Sequence, residues 1–319
     1  MGVTKVDRFV GRVDELERLH EALKRTGERR IVVLHGLGGM GKTQLSIEYT
    51  KRHRNDYSAT LWLHARDETS LKQSFQQAAR RIVREHPTVA YVQDAIANQD
   101  LDETAEAVKR WLDETRNDKW LIVYDNYDDV RFDGRSGTDQ SAESALKQSG
   151  TIASNTSQAE VAASKAYDIR PYFPETDHGA IIITTRSSRV KLGQLIRLGK
   201  LGDIEDSLAI LKSTSNRTHL SQDPDAYTLA RRLDGLPLAL STAGAYLNQV
   251  STTFAEYLQL YDESWLRLHK ESPQLLDYDQ ALYSTWGVSF NYIVHSAAKQ
   301  SCIYAPSTLG LLRQRGPMV

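Results

Sequence analysis

The chain has 319 residues, 40% of them hydrophobic, and 40 Lys and Arg against 41 Asp and Glu give a formal net charge of -1. That length allows two or three domains with ordinary apolar cores, and the balanced charge excludes a global field that would recruit DNA, RNA or an anionic membrane surface. The single cysteine, Cys302, excludes an internal disulfide, and the nine histidines show no metal-ligand spacing.

No apolar run reaches the roughly 18 residues of a transmembrane helix, and the start, Met-Gly-Val-Thr-Lys-Val, lacks the apolar core of a signal peptide. A reducing, cytoplasmic setting is expected, with neither nucleic acid nor membrane as partner.

The first expected core element is a buried strand, Arg30-Ile-Val-Val-Leu-His35. Directly after it comes Gly36-Leu-Gly-Gly-Met-Gly-Lys-Thr43, a complete G-x-x-x-x-G-K-[ST] phosphate loop, and then a helix over 42–52 carrying Leu45, Ile47 and Tyr49. Gly36, Gly38, Gly39, Met40 and Gly41 form a turn tight enough for successive N–H groups to converge on phosphate oxygens. Lys42 neutralises the outer phosphates, the Thr43 hydroxyl ligates Mg²⁺, and Gln44 follows in the same cofactor-binding run. The phosphate thus meets a helix N-terminus, whose dipole favours anions. Gly36, Gly38 and Gly41 also fit a dinucleotide-binding turn, but that turn requires an acid about 20 residues on. Here the next strand ends in His64-Ala65-Arg66, and Lys42-Thr43 would be left without a role.

Further strands are expected at 59–65, 120–125 and 180–185, with helices over 70–85 and 102–114 between them and an edge strand at 196–201. This alternation predicts an α/β fold, a P-loop NTPase parallel sheet flanked by helices. Trp120-Leu-Ile-Val-Tyr-Asp125 delivers an acid at its C-terminal end, which makes Asp125 the second candidate Mg²⁺ ligand beside Thr43. Asn126 follows, and an amide cannot accept a proton from water. Asp128 and Asp129 read as exposed loop acids that could orient a water, so hydrolysis is expected to be slow. Arg186 ends the strand at 180–185 over the carboxyl edge of the sheet, where its cation could distinguish a triphosphate from a diphosphate.

The domain reading is a segment 1–30, an α/β domain 31–202 with a flexible Ser/Ala/Thr/Gln-rich insertion at 133–166, and a helical domain 203–262. Within the helical domain, helices are expected at 203–212, from Asp223-Pro224 to Leu233, from Pro237 onward and at 254–261. Residues 263–300 read as a partial winged-helix-like region with a helix at 278–293, and 301–319 as a disordered tail.

Five motifs occur in order: Phe9-Val-Gly-Arg12-x-x-Glu15-Leu, the phosphate loop, Leu121-Ile-Val-Tyr-Asp-Asn126, Ile183-Thr-Thr-Arg186 and Gly235-Leu-Pro-Leu-Ala-Leu240. Over about residues 7 to 293 the chain resembles the NB-ARC domain, a STAND-class P-loop NTPase found in plant resistance proteins, apoptotic protease activators and fungal NLR-like receptors. Tyr167-Asp-Ile-Arg-Pro-Tyr-Phe-Pro-Glu175 and Tyr283-Ser-Thr-Trp286 resemble fungal members in particular. The resemblance implies that Val10, Gly11 and Arg12 line the adenine of ADP or ATP and that Arg186 reports the γ-phosphate. It implies that Pro237 packs near the nucleotide in the closed, ADP-bound form, and that the nucleotide-binding domain self-associates. As the first-turn proline of its helix, Pro237 also has a purely local explanation. The pattern departs at Asn126, where family members carry a second acid. It departs again in showing one winged-helix-like helix and no amino-terminal effector domain, so a C-terminally truncated form is expected. The expected function is an ADP/ATP-binding switch core with weak or absent hydrolysis. The alternatives are a non-signalling nucleotide-binding remnant and a P-loop phosphotransferase acting on a small molecule.

Overall fold

The computed structural model describes residues 9–24, 27–131, 166–218, 220–271 and 287–288. Apart from Ala166, Gly287 and Val288, the insertion expected at 133–166, the helix expected at 278–293 and the tail at 301–319 lie outside the described residues. The chain divides into two compact units, Met1–Gly199 and Lys200–Val319.

The first unit is built on one parallel sheet. Its strands are β1 (Arg30–His35), β2 (Ala59–His64), β3 (Trp120–Asp125), β4 (Ala180–Thr185) and β5 (Gln194–Arg197), in the order β2-β3-β4-β1-β5. Every residue of β3 and β4 is buried. Central strands covered on both faces demand such unbroken apolar runs. From β1 the chain crosses to the far edge at β2, whereas β4 is followed by β5 on the other side of β1. This reversal opens a crevice at the carboxyl end of β1, the place where ligands bind in sheets of this kind. β5 starts two positions earlier than expected and stops at Arg197; beyond it Leu198 N donates to His35 O at 2.8 Å.

Helices α1 (Val13–Leu23), α2 (Lys42–Arg52), α3 (Glu68–Glu85), α4 (Ala90–Ala97) and α5 (Leu101–Asp113) complete this unit. α3 begins ahead of its apolar pattern because Asp67 caps it, accepting from Ser70 N at 2.8 Å, and Asp100 caps α5 through Asp102 N and Glu103 N. α1 and α4 were not expected. α1 buries Leu16, Leu19 and Leu23 along one face, and α4 buries only Val92 and Ala95.

The core joins Leu71, Phe75 and Ala79 of α3, Val108 and Leu112 of α5 and the sheet residues Leu63, Ile122, Tyr124 and Ile181. Its polar atoms are paired, as burial requires. Tyr124 Oη donates to Tyr172 O at 2.7 Å, Tyr127 Oη to Tyr167 O at 2.8 Å and Tyr167 Oη to Ala65 O at 2.9 Å. These three hydroxyls tie residues 167–173 down onto the sheet.

The second unit contains α6 (Ile204–Ser215), α7 (Pro224–Arg232), α8 (Pro237–Gln249) and α9 (Phe254–Glu271). Asp223 caps α7 ahead of Pro224, as its sequence position predicts, and Asp203, expected as the first residue of its helix, instead caps α6. Leu211, Leu229, Leu240, Ala243 and Tyr257 are fully buried. α8 approaches α6 closely at Gly244, where any side chain would overlap Thr214. α9 runs well past the expected end at 261. Among the described residues no helix is long and apolar enough to cross a membrane.

Candidate functional site

The loop between β1 and α2 is shaped by two glycine requirements. Gly41 holds φ 87° as the N-cap of α2, a left-handed conformation that side chains resist. At Gly36 the obstacle is space, since a Cβ would overlap the Leu198 carbonyl oxygen. Lys42 is the first residue of α2 and is only 8% exposed. Its Nζ donates to Gly36 O at 2.7 Å and Leu37 O at 2.8 Å, both neutral carbonyls of the loop it follows. Lost solvation lowers the Lys42 pKa from its usual 10.5, opposed by the charges of Asp128 and Asp125 and reinforced by that of Arg186. A buried ammonium in this setting favours an anion.

One helical residue on, Thr43 Oγ1 donates to Asp125 Oδ1 at 2.8 Å. Asp125 is 2% exposed and also accepts from Thr184 Oγ1 at 2.7 Å. Thr184 in turn accepts from Asn126 N at 2.9 Å, and Asn126 stands at φ 65°. The register that sets Tyr124 beside Ile183 brings Thr184 to Asp125. A hydroxyl and a carboxylate 2.8 Å apart form a hard oxygen donor pair that suits Mg²⁺, a cation commonly held by one or two protein oxygens and phosphate.

Arg186 reaches the same edge of the sheet but is bound there. Asp128 accepts from Arg186 N at 2.6 Å and from Arg186 Nε at 2.7 Å, while the guanidinium remains 62% exposed. Asp128, read from sequence as an exposed loop acid, is instead only 19% exposed and held by this pair. Asp125 serves two hydroxyls and Asp128 serves Arg186, so neither carboxylate stands free as a base for water.

Just ahead of α1, Gly11 and Arg12 both adopt positive φ. The Arg12 guanidinium is buried, donating to Met40 O at 3.2 Å, Gly199 O at 2.5 Å and Glu15 Oε1 at 2.6 Å. Val10 is half-buried just ahead of it, Gly38 and Gly39 lie in the turn of the loop, and Gln44 is half-buried on α2. The structure thus gathers Lys42, Thr43, Asp125 and Arg186 at one sheet edge and ties Arg12 to the loop through Met40. Pro237 is the first residue of α8 in the second unit. Sequence reasoning missed Thr184 as the partner of Asp125 and the backbone contacts of Arg12. A hydroxyl ending a strand is the only local signal for the former.

A profile of the AAA ATPase domain matches residues 8–155. The chain has a P-loop NTPase fold and resembles AAA-type ATPases and fungal NLR-like proteins. A nucleotide-binding leucine-rich repeat (NLR)-like protein of Hyaloscypha variabilis is 27% identical over 305 residues, which is 89% of this chain and 28% of that protein. The chain therefore spans little more than a quarter of that relative's length. Among solved structures, a Walker-type ATPase of Pyrococcus abyssi is 12% identical with a TM-score of 0.48, covering 95% of this chain and 79% of its own. Cdc6p of Pyrobaculum aerophilum is 12% identical with a TM-score of 0.47, covering 91% and 83%.

Proposed function

We propose that this P-loop NTPase is the ADP/ATP-binding core of a molecular switch of the NB-ARC type, with weak or absent hydrolysis. In this reading Lys42 and the loop amides hold the phosphates, Thr43 and Asp125 hold Mg²⁺, and Arg12 with Val10 and Gly11 lines the adenine side. When bound, Mg²⁺ would supply charge neutralisation at the phosphates. Arg186 answers to a γ-phosphate by exchanging Asp128 for it, and Pro237 enters the proposal through the resemblance alone. The cytoplasmic setting, signalling role and self-association belong to the same proposal.

The observation that carries the reading is the buried Lys42 ammonium resting on neutral carbonyls at a helix N-terminus beside a Thr43–Asp125 oxygen pair. Slow hydrolysis is supported by Asn126 standing where a second acid would act. Fluorescent-ADP titration tests the assignment. Lys42→Ala should weaken binding by about 1.5 to 3 kcal/mol, roughly 10- to 150-fold. Unchanged affinity in that variant would refute it.

A further inference from the structure

β2 ends the sheet, and beside it runs a cleft of about 630 Å³ bounded by β2 and one face of α3. In a parallel ladder only alternate residues bond to the neighbouring strand. Ala65 N donates to Asp125 O, so the odd-numbered positions of β2 serve β3 and the even-numbered ones face outward. His64 N confirms the parity, since its outward N–H is met by Ser74 Oγ of α3 at 3.1 Å. Thr60 and Trp62 share the outward parity of His64, and both residues form part of the cleft wall.

The remaining wall is rich in donors. Arg54, Arg80 and Arg84 line it without a hydrogen bond or salt bridge among the described residues, and the Arg84 charge also acts on the Glu85 carboxylate. The lining acid, Glu85, is bound by Arg81 at 2.8 Å. The Trp62 indole Nε1 is buried and lacks an acceptor. Cations without salt bridges and an orphan donor are concentrated here in a chain whose net charge is only -1.

We propose that this cleft docks an extended acidic polypeptide segment, which adds to the sheet as a strand along β2 while its carboxylates pair with Arg54, Arg80 and Arg84. Main-chain hydrogen bonds to an open edge supply affinity in such additions, and side-chain pockets supply selectivity. Bidentate guanidinium–carboxylate pairing accounts for the preference for acids.

The test is fluorescence anisotropy of a short fluorescein-labelled peptide of alternating Glu and Thr titrated with the full chain. The peptide should bind, more weakly as salt is raised, and a Gln-for-Glu version should not. Arg80→Glu combined with Arg84→Glu should lower affinity about tenfold or more, and N-methylation of alternate peptide amides should do the same. A circular-dichroism melt matching wild type shows that the double variant is folded; if it melts early, Arg54→Glu in the loop before β2 provides the same readout. Absence of binding, indifference to charge reversal, or indifference to N-methylation would overturn the proposal. So would binding that appears only after residues 132–165 are deleted, which would assign the cleft to the chain itself, or oligothymidylate binding in place of the peptide.

Discussion

Asp125 accepts from two hydroxyls at once, and the second of them, Thr184, also receives the Asn126 amide. Thr184→Val keeps the shape but strands an acceptor lone pair and a backbone N–H. It should cost about 2 kcal/mol in urea unfolding, while Thr184→Ser should stay near wild type. Lys42 makes the opposite case. Its folded pKa is lowered by burial, so the unfolded chain binds the extra proton, and stability rises as pH climbs through the lowered folded value toward 10.5. Below that window the charged ammonium is a cost. Without nucleotide, Lys42→Met should therefore be the more stable protein at neutral pH, by about 1 kcal/mol in the same assay. Lys42, Thr43 and Asp125 could be found in the sequence because a contiguous loop and a strand-end acid announce their chemistry locally. Thr184 at Asp125 and Asp128 at Arg186 could not, because each contact depends on strand register or on a loop crossing between strands.

Among elements, the segment 167–173 owes its place to hydroxyl contacts, and Tyr172 extends the set by donating to Glu68 Oε1 at 2.5 Å. That hydrogen bond, with help from Lys72 and against burial, holds the Glu68 carboxyl below its ordinary 4.5. A depressed carboxyl contributes stability that is present above the unfolded pKa and lost as pH falls through the folded one. Tyr172→Phe should thus cost about 0.5–1 kcal/mol at neutral pH, since Glu68 is partly solvated, and the difference from wild type should close below pH 4.5. Thermal melts across pH check both halves. Strands β1, β3 and β4 were legible as apolar runs, and the cap at Asp223 before Pro224 marked α7. α1 was obscured by the motif that precedes it, and α4 by its brevity, with eight residues and two buried apolar side chains.

For the whole molecule, a ligand that binds only the folded state stabilises it by mass action. ADP with Mg²⁺ at about 100 times its dissociation constant should add about 2.7 kcal/mol, read as a higher melting midpoint. Lys42→Ala should lose most of that increment at the same concentration. The route by which the chain leaves its first unit runs along the phosphate loop. Leu198 N is fastened to His35 O, the Leu198 carbonyl lies over Gly36, and Gly199 O is gripped by Arg12, which also holds Met40 O. The last residues before the junction at Lys200 are therefore pinned at both ends of the phosphate loop. Leu198 and Gly199 thus share backbone partners with the phosphate loop, so any rearrangement of His35, Gly36 or Met40 has to remake those contacts first.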